Sequence, residues 1–387
     1  MSRGLSTVLI ICPTEYGGHI EHAADLAMAL ARHDEVGRCL LVSRPGAVEY
    51  LGNLSAAGVE ILEVLPARRA STKGIRGILR PAAQVLDLVA EHRRLRTLVS
   101  SMASPTTVLF ESPKYPYPSL AVGKKAHTVL FVHNAKPHVN VEHVGIRQRV
   151  LSWLERRCIQ KVNRLVTHGA TQLATLAETT LTPATAVPLP TLSALQLPGS
   201  RETPGVIPGE SYALCIGELR PNKGIELAIA AAAASGVHLL VAGKSESPVL
   251  AQELAALAHA SKNVELRDEF LPATDFDALI RGAALVVLPY THFDAQSGIL
   301  SKAIGTGRPV LAADLPALRD QAREYPHISY TNICDPVLFS AALSNAFDRG
   351  TARVESASNA GPDASEQWDA VASAVMGEKF TVGHAAD

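Results

Sequence analysis

The chain has 387 residues, of which 19% are charged and 47% hydrophobic, with 36 Lys and Arg against 37 Asp and Glu. At roughly 100–200 residues per domain, this length predicts two domains, each large enough to bury its own core. The balanced charge excludes a protein that binds nucleic acid through its net charge, and the composition is typical of globular proteins.

The five cysteines lie far apart, mostly within apolar runs, and predict buried thiols of a reducing compartment, not disulfides or a metal site. The first apolar run stops at Pro13, which makes it too short for a signal peptide or a membrane span. We therefore expect a cytoplasmic protein.

Strands and helices alternate through the first half of the chain. Apolar runs predict strands at 7–12, 38–43, 60–64, 107–110, 128–132 and 164–167, and helical patterns occupy 19–32, 81–100 and 145–160. Such alternation is typical of a parallel, doubly wound α/β sheet.

Residues 180–210 are rich in Pro, Thr, Ser and Gly without sustained periodicity, which predicts an interdomain linker. The alternation then restarts, with predicted strands at 212–216, 238–242, 263–266, 284–288 and 309–312 and helices at 225–234, 249–260, 273–281 and 298–306. The sequence therefore predicts two Rossmann-like domains, 1–185 and 212–350, joined by a linker at 186–211. A tail, 351–387, carries a short helix that could pack back on the first domain.

In open α/β sheets, ligands bind beyond the carboxyl ends of the strands, so the loops there are the candidate site. Gly17 and Gly18, between the first strand and the first helix, would let backbone N–H groups approach an anion or a sugar. A tight turn without a ligand is the alternative, and the GxGxxG dinucleotide fingerprint is absent.

Two loops of the second half are suited to phosphate. Arg220 and Lys223 project from loop 217–224 and could bind neighbouring phosphates, or could be two solvated surface charges. The backbone amides of 296–299 are expected at a helix N-terminus, where they could bind the distal phosphate, although Ser297 could be only a helix cap. Asp294 could accept hydrogen bonds from sugar hydroxyls.

His133 follows a strand of the first half and could bind a sugar hydroxyl or steady leaving-group charge. The chain has 14 histidines, and His19, His22, His138 and His292 are weaker candidates than His133.

Several motifs occur in a fixed order: GG before the first helix, VHNAKPH, IGELRPNKG, the AG of LLVAG, LPYTHFDAQSGIL and AIGTGRPVLAAD. Together they resemble the GT-B glycosyltransferases of family 4, retaining enzymes that include exopolysaccharide and lipid-linked sugar transferases. The resemblance covers most of the chain and implies two Rossmann-like domains that face each other across a cleft.

The resemblance also implies roles for single residues. Arg220 and Lys223 would bind the donor diphosphate, and His133 and Asp294 would act at the transferred sugar. The remaining donor-binding positions would be Gly17, Gly18, Gly243, Glu269, Phe270, Leu271, Tyr290, Gln296, Ser297, Gly298 and Ile299, with 269–271 beside the base. No metal is implied, since no DxD motif stands in the expected place, and no cofactor besides the sugar donor as substrate.

Two positions depart from the family pattern. Many relatives carry two glutamates eight positions apart, the first touching the sugar and the second the ribose, whereas this chain has Asp294 and Lys302. A lysine cannot accept hydrogen bonds from ribose hydroxyls.

The sequence thus predicts retaining transfer of a hexose to a hydroxyl of a saccharide, a lipid-linked glycan or a small molecule, as in polysaccharide biosynthesis. A sugar-nucleotide epimerase or hydrolase and a non-catalytic nucleotide-sugar-binding protein are the alternatives. A basic stretch could contact the inner membrane face peripherally or be a solvated helix face; it comprises Arg68, Arg69, Lys73, Arg76, Arg80, Arg93, Arg94 and Arg96.

Overall fold

A computed structural model describes residues 5–67, 80–102, 106–135, 146–191, 193, 211–354 and 364–377. The chain divides into two units: unit 1 comprises 1–188, 193–198 and 365–387, and unit 2 comprises 189–192 and 199–364. Each unit is built around one sheet.

The sheet of unit 1 has seven parallel strands in the order β3-β2-β1-β4-β5-β6-β7. The elements follow the chain as β1 (Ser6–Ile11), α1 (Gly18–Arg32), β2 (Val36–Val42), α2 (Ala47–Leu51), β3 (Val59–Leu62), α3 (Arg80–Ser100), β4 (Thr106–Phe110), α4 (Pro118–Val122), β5 (His127–Val132), α5 (Ile146–Lys161), β6 (Arg164–His168), α6 (Ala170–Thr179) and β7 (Ala184–Val187).

The sheet of unit 2 has six parallel strands in the order β10-β9-β8-β11-β12-β13. Its elements are β8 (Ala213–Ile216), α7 (Ile225–Ser235), β9 (Leu239–Ala242), α8 (Pro248–His259), β10 (Val264–Arg267), α9 (Ala273–Gly282), β11 (Leu285–Leu288), α10 (Gly298–Gly305), β12 (Val310–Ala313), α11 (Pro316–Gln321), β13 (Ile328–Thr331) and α12 (Pro336–Val354).

The central strands are buried on both faces, which is why their sequences are continuously apolar. In β1, Val8 and Ile10 pack into one core layer with α1, whereas Leu9 and Ile11 pack into the layer on the opposite face. Unit 2 has the same arrangement, with Leu214 and Cys215 in separate layers. The prediction of two doubly wound parallel α/β domains is confirmed.

A final helix, α13 (Ala364–Met376), belongs to unit 1 although it follows unit 2 in sequence. Trp368 and Val371 are buried in the same core layer as Ile20 of α1. Arg32 pairs with Asp369 at 2.6 Å at the rim of this contact. The helix therefore covers part of the sheet face on which α1 packs.

Most predicted elements agree with the structure within two residues, but several short ones were not predicted. β7 lies inside the segment interpreted as linker, because its pairing with β6 outweighs a sequence rich in Ala and Thr. No helix within the described residues is long and apolar enough to cross a membrane.

Candidate functional site

The strand order reverses once in each sheet, between β1 and β4 in unit 1 and between β8 and β11 in unit 2. Ligands of open α/β sheets bind in the crevice at such points, beyond the carboxyl ends of the strands. The candidate loops 15–19, 217–224 and 289–299 follow β1, β8 and β11 respectively.

Loops 217–224 and 289–299 of unit 2 are in direct contact. The Thr291 backbone N–H donates to Asn222 O at 3.0 Å. Lys223 Nζ lies 3.8 Å from the centre of the Tyr290 ring, a cation–π geometry that holds the lysine at the junction of the loops. Both loops therefore form one surface at the carboxyl edge of the sheet.

Arg220 lies at the same edge, and its side chain is directed toward neighbouring acidic residues. Its guanidinium pairs with Glu218, and its Nε lies 3.9 Å from Glu246. The Arg220 side chain is 38% exposed, so these pairs are solvent-screened and cost little to exchange for a phosphate.

Three glycines allow the close backbone packing at this edge. Gly224 has φ +60°, and a Cβ there would lie 2.0 Å from Pro289 O. Gly243, with φ +142°, packs against Gly217, where a Cβ would lie 1.8 Å from Gly217 O. Any side chain at Gly224 or Gly243 would push these backbone segments apart. Donor binding at Gly243 stays a prediction.

Ser297 caps α10. Its Oγ accepts from the Leu300 backbone N–H at 3.3 Å and lies 3.2 Å from the Tyr290 hydroxyl. Its own backbone N–H donates to Gln321 Oε1 at 2.7 Å. Gly298 and Ile299 occupy the first turn, where the geometry of a helix leaves N–H groups without an intrahelical acceptor. The capping role of Ser297 is thus observed. The backbone amides suited to an anion are those of Gly298 and Ile299. Gln296, which precedes the cap, is partly buried.

The two positions that differ from the family pattern have separate partners. Asp294 Oδ2 lies 3.3 Å from His292 Nε2, and the Asp294 side chain is 42% exposed. Lys302 on α10 pairs with Asp277 on α9 at 2.5 Å. Lys302 is therefore held toward α9 by an ion pair.

Residues 269–271 follow β10 at the same edge. Glu269 is exposed, Leu271 is partly buried in the core layer, and Phe270 is 56% exposed. An exposed phenyl ring offers an apolar face on which a planar base could stack.

In unit 1, Gly17 and Gly18 lie at the start of α1. Gly17 has φ +86°, which favours glycine, whereas Gly18 is the first helical residue and needs no unusual dihedral. A Cβ at Gly18 would meet no described atom within 4 Å. The fold therefore gives no steric reason for glycine at position 18.

The structure reveals a cluster around Glu111, a residue that the sequence analysis missed. Glu111 follows β4 and is buried, with 1% of its side chain exposed. His133 Nε2 lies 2.6 Å from Glu111 Oε2, and His22 Nδ1 lies 3.3 Å from Glu111 Oε1. His22 Nε2 in turn lies 3.0 Å from His168 Nε2. One carboxylate thus links the ends of β4 and β5 to α1 and, through His22, to β6.

The charges of this cluster follow from its burial. Burial alone would raise the pKa of Glu111, but the hydrogen bonds of His22 and His133, and the positive charge those rings carry when protonated, outweigh it and hold that pKa far below its usual range. Burial lowers the pKa of His22 and of His168. Burial and the charge of His133 lower the pKa of His19 to about 4. Near neutral pH, Glu111 is therefore ionised while His19, His22 and His168 are neutral.

His19, Glu111 and His133 could also approach a cation, because their ligand atoms lie within 4.8 Å of one another. In this structure Glu111 Oε2 is engaged by His133 Nε2, so a cation would have to replace that hydrogen bond. The expected absence of a metal stays a prediction. His292 belongs to unit 2, and His138 lies outside the described residues.

The lowered histidine pKa values predict that unit 1 loses stability in acid. Below about pH 6.5 the histidines of the unfolded chain bind protons, whereas the buried rings of His22 and His168 in the folded protein bind fewer. The free energy of unfolding therefore falls as the pH falls. Both tryptophans, Trp153 and Trp368, belong to unit 1, so their fluorescence during urea unfolding at pH 7.5 and pH 5 measures this.

The matched variants are His168→Asn and, on the exposed end of α8, His259→Asn. We expect the first to reduce the pH dependence and the second to preserve it. An unfolding midpoint that stays constant between the two pH values in the unaltered protein would contradict the neutral assignment.

Residues 200–349 match the family model described as glycosyl transferases group 1. No curated protein sequence matches the chain. Solved structures, among them the following three, are also similar over nearly the whole length. HepE of Anabaena, in complex with UDP and glucose, has TM-score 0.58 and 15% identity, with 95% of each chain covered. Sucrose-phosphate synthase from Thermosynechococcus elongatus has TM-score 0.64 and 16% identity, covering 96% of this chain and 97% of that one.

The third structure is a proposed UDP-N-acetylglucosamine 2-epimerase from Listeria monocytogenes, with TM-score 0.62 and 14% identity, covering 97% of this chain and 99% of that one. At such identities these likenesses show the fold. The chain therefore has the two-domain GT-B fold, and the segment that carries loops 217–224 and 289–299 matches the glycosyl transferase group 1 model.

Proposed function

We propose that this protein is a retaining glycosyltransferase that moves a hexose from a nucleoside diphosphate sugar to a hydroxyl acceptor without a metal. The observation that carries the proposal is the junction of loops 217–224 and 289–299 at the strand-order reversal of unit 2, within the segment that matches glycosyl transferases. This junction contains two cations, Arg220 and Lys223, and the N-terminus of α10.

Such a junction suits a diphosphate for electrostatic reasons. Arg220 offers a planar fork and Lys223 a point charge, and the amides of Gly298 and Ile299 add the partial positive charge of a helix N-terminus. Stabilising the charge that develops on a departing diphosphate is the largest catalytic contribution such groups can make. Phe270 supplies a face for the base, and Asp294 an acceptor for sugar hydroxyls.

The proposed reaction breaks the bond between the anomeric carbon and the diphosphate oxygen. The acceptor oxygen forms its new bond on the same face of the sugar, and the leaving phosphate takes up the acceptor's proton. Retention of configuration follows from attack on that face. His133 would lie beside the transferred sugar, and Gly17 and Gly18 would let backbone approach the donor.

Two other functions remain as outcomes of the same experiment. An epimerase or hydrolase would release an epimer or free sugar without any acceptor. A non-catalytic binding protein is favoured by one observation, the Lys302–Asp277 ion pair at the position where ribose would need an acceptor. Donor binding without turnover across many acceptors would support that function instead.

We expect Lys223→Ala to lower kcat/KM for sugar transfer by about 100-fold or more, because it removes a charge that stabilises the leaving diphosphate. The cation–π contact with Tyr290 contributes only about 0.5–1 kcal/mol at such a site, so the variant should stay folded. Lys262→Ala, an exposed lysine before β10 at the opposite sheet edge, is the control. Turnover within a few-fold of normal in a folded Lys223→Ala protein would overturn the assignment.

We further propose that unit 1 contacts the inner membrane face peripherally and so meets a lipid-linked acceptor. On α3, exposed Leu86, Val89, Arg93 and Arg96 recur at spacings of three and four and share one helix face. An exposed face of apolar and cationic side chains suits the surface of an anionic bilayer. Of the remaining basic stretch, 68–79 and the Arg80 side chain lie outside the described residues, and Arg94 donates to Val64 O.

We expect the protein to float with vesicles of phosphatidylglycerol and phosphatidylcholine, and Arg93→Glu to reduce the bound fraction, because it reverses a charge on this face. Arg323→Glu, an exposed cation of unit 2, is the charge-matched control. No binding to anionic vesicles at low salt, or an equal loss in both variants, would remove the membrane proposal.

A further inference from the structure

Two glutamates are buried among the described residues of unit 1, and their partners differ in chemistry. Glu91, fully buried on α3, pairs with Arg44 at 2.6 Å and with Lys114 at 2.7 Å. Arg44 and Lys114 carry the charges that an interior carboxylate needs to offset its loss of hydration. Glu91 therefore belongs to an ordinary structural ion-pair network.

Glu111 has no such cation among the described residues, and its charged-group partners there are imidazoles. Imidazoles can exchange protons near neutral pH, which makes them poor permanent counterions and good reactive groups. Of the two rings that contact the carboxylate, His22 is buried at 9% exposure, whereas His133 is 20% exposed. His133 is thus the more solvent-accessible of the two rings that contact the carboxylate.

The 2.6 Å contact determines which nitrogen of His133 carries a proton. An ionised carboxylate only accepts hydrogen bonds, so Nε2 must be the N–H that donates to Glu111 Oε2. In the neutral ring, Nδ1 then carries the lone pair. No hydrogen-bond partner for Nδ1 lies among the residues that the structure describes.

We propose that Glu111 is a positioning residue, which holds His133 in the Nε2–H tautomer and so presents Nδ1 as an acceptor to a sugar hydroxyl. His22 supports the arrangement, because an ionised carboxylate only accepts, so the Nδ1–H of His22 donates to Glu111 at 3.3 Å. Trp368 of α13 packs against the His22 ring at 5.1 Å between centres. This role rests on the proposed sugar transfer, but the tautomer can be measured without it.

The first test is the nitrogen chemical shifts of His133 in the ¹⁵N-labelled full-length protein near neutral pH, assigned by comparison with His133→Asn. We expect a protonated Nε2 and an unprotonated Nδ1, and loss of this pattern in Glu111→Gln, whose amide can donate to the ring. The Glu91→Gln protein should keep the pattern. A protonated Nδ1 with a bare Nε2 in the unaltered protein would overturn the proposal, whatever the enzyme does.

The second test is kinetic and uses the donor and acceptor for which turnover is found. Carboxylates that orient metal-bound imidazoles contribute about 10- to 100-fold, and we expect a loss of kcat of that order in Glu111→Gln, with the donor KM within about twofold and a shifted pH profile. Because Glu111 acts through His133, Glu111→Gln/His133→Asn should be no slower than His133→Asn. Additive losses would contradict the proposal, as would kinetics of Glu111→Gln that match those of Glu91→Gln.

Three further outcomes can be distinguished from one another. If Glu111→Gln fails to fold, Glu111→Asp keeps the charge and should retain the tautomer, and its loss would count against the proposal. If the protein binds one Zn²⁺ per chain, His133→Asn removes that binding and EDTA abolishes turnover, then His133 is a metal ligand and the positioning role is wrong. If no sugar is transferred from any donor while the Nε2–H tautomer is observed, the proposed function fails and the tautomer assignment stands.

Discussion

The reversal of strand order in each sheet is the constraint on which the candidate site depends. At the β1/β4 and β8/β11 junctions, crossovers leave toward opposite faces, so a crevice opens beyond the carboxyl ends of these four strands. A ligand in the crevice can contact the residues that follow these strands without displacing a helix. Gly18 and Glu111 follow the first pair, and Lys223 and Asp294 the second.

The two crevices share a topology but differ in chemistry. The edge of unit 2 presents the cations Arg220 and Lys223 and the partial positive charge of a helix N-terminus, which suit a diphosphate. The edge of unit 1 presents imidazoles around one carboxylate, which suits neutral hydroxyls whose hydrogen bonds depend on the position of a proton. The loops, not the sheets, therefore carry the functional difference.

The sequence predicted the long elements because strands buried on both faces are continuous apolar runs, as in 285–288. The five-residue helices at 47–51 and 118–122 are too short to show a helical period. Glu111 was missed because a single acid after a strand forms no motif, and His22 lies 89 residues away along the chain. Its position directly after a buried strand at a reversal point was the only signal.

We propose that unit 2 binds the diphosphate of a nucleotide at the Lys223–Tyr290 junction. Thermal shifts with UDP, GDP and dTDP and with their monophosphates test it directly, since a ligand of the native state raises its stability. We expect one nucleoside diphosphate to bind at least about tenfold more tightly than its monophosphate, and Arg220→Ala to remove this difference. Equal affinity for both, or no binding of any diphosphate, would contradict it.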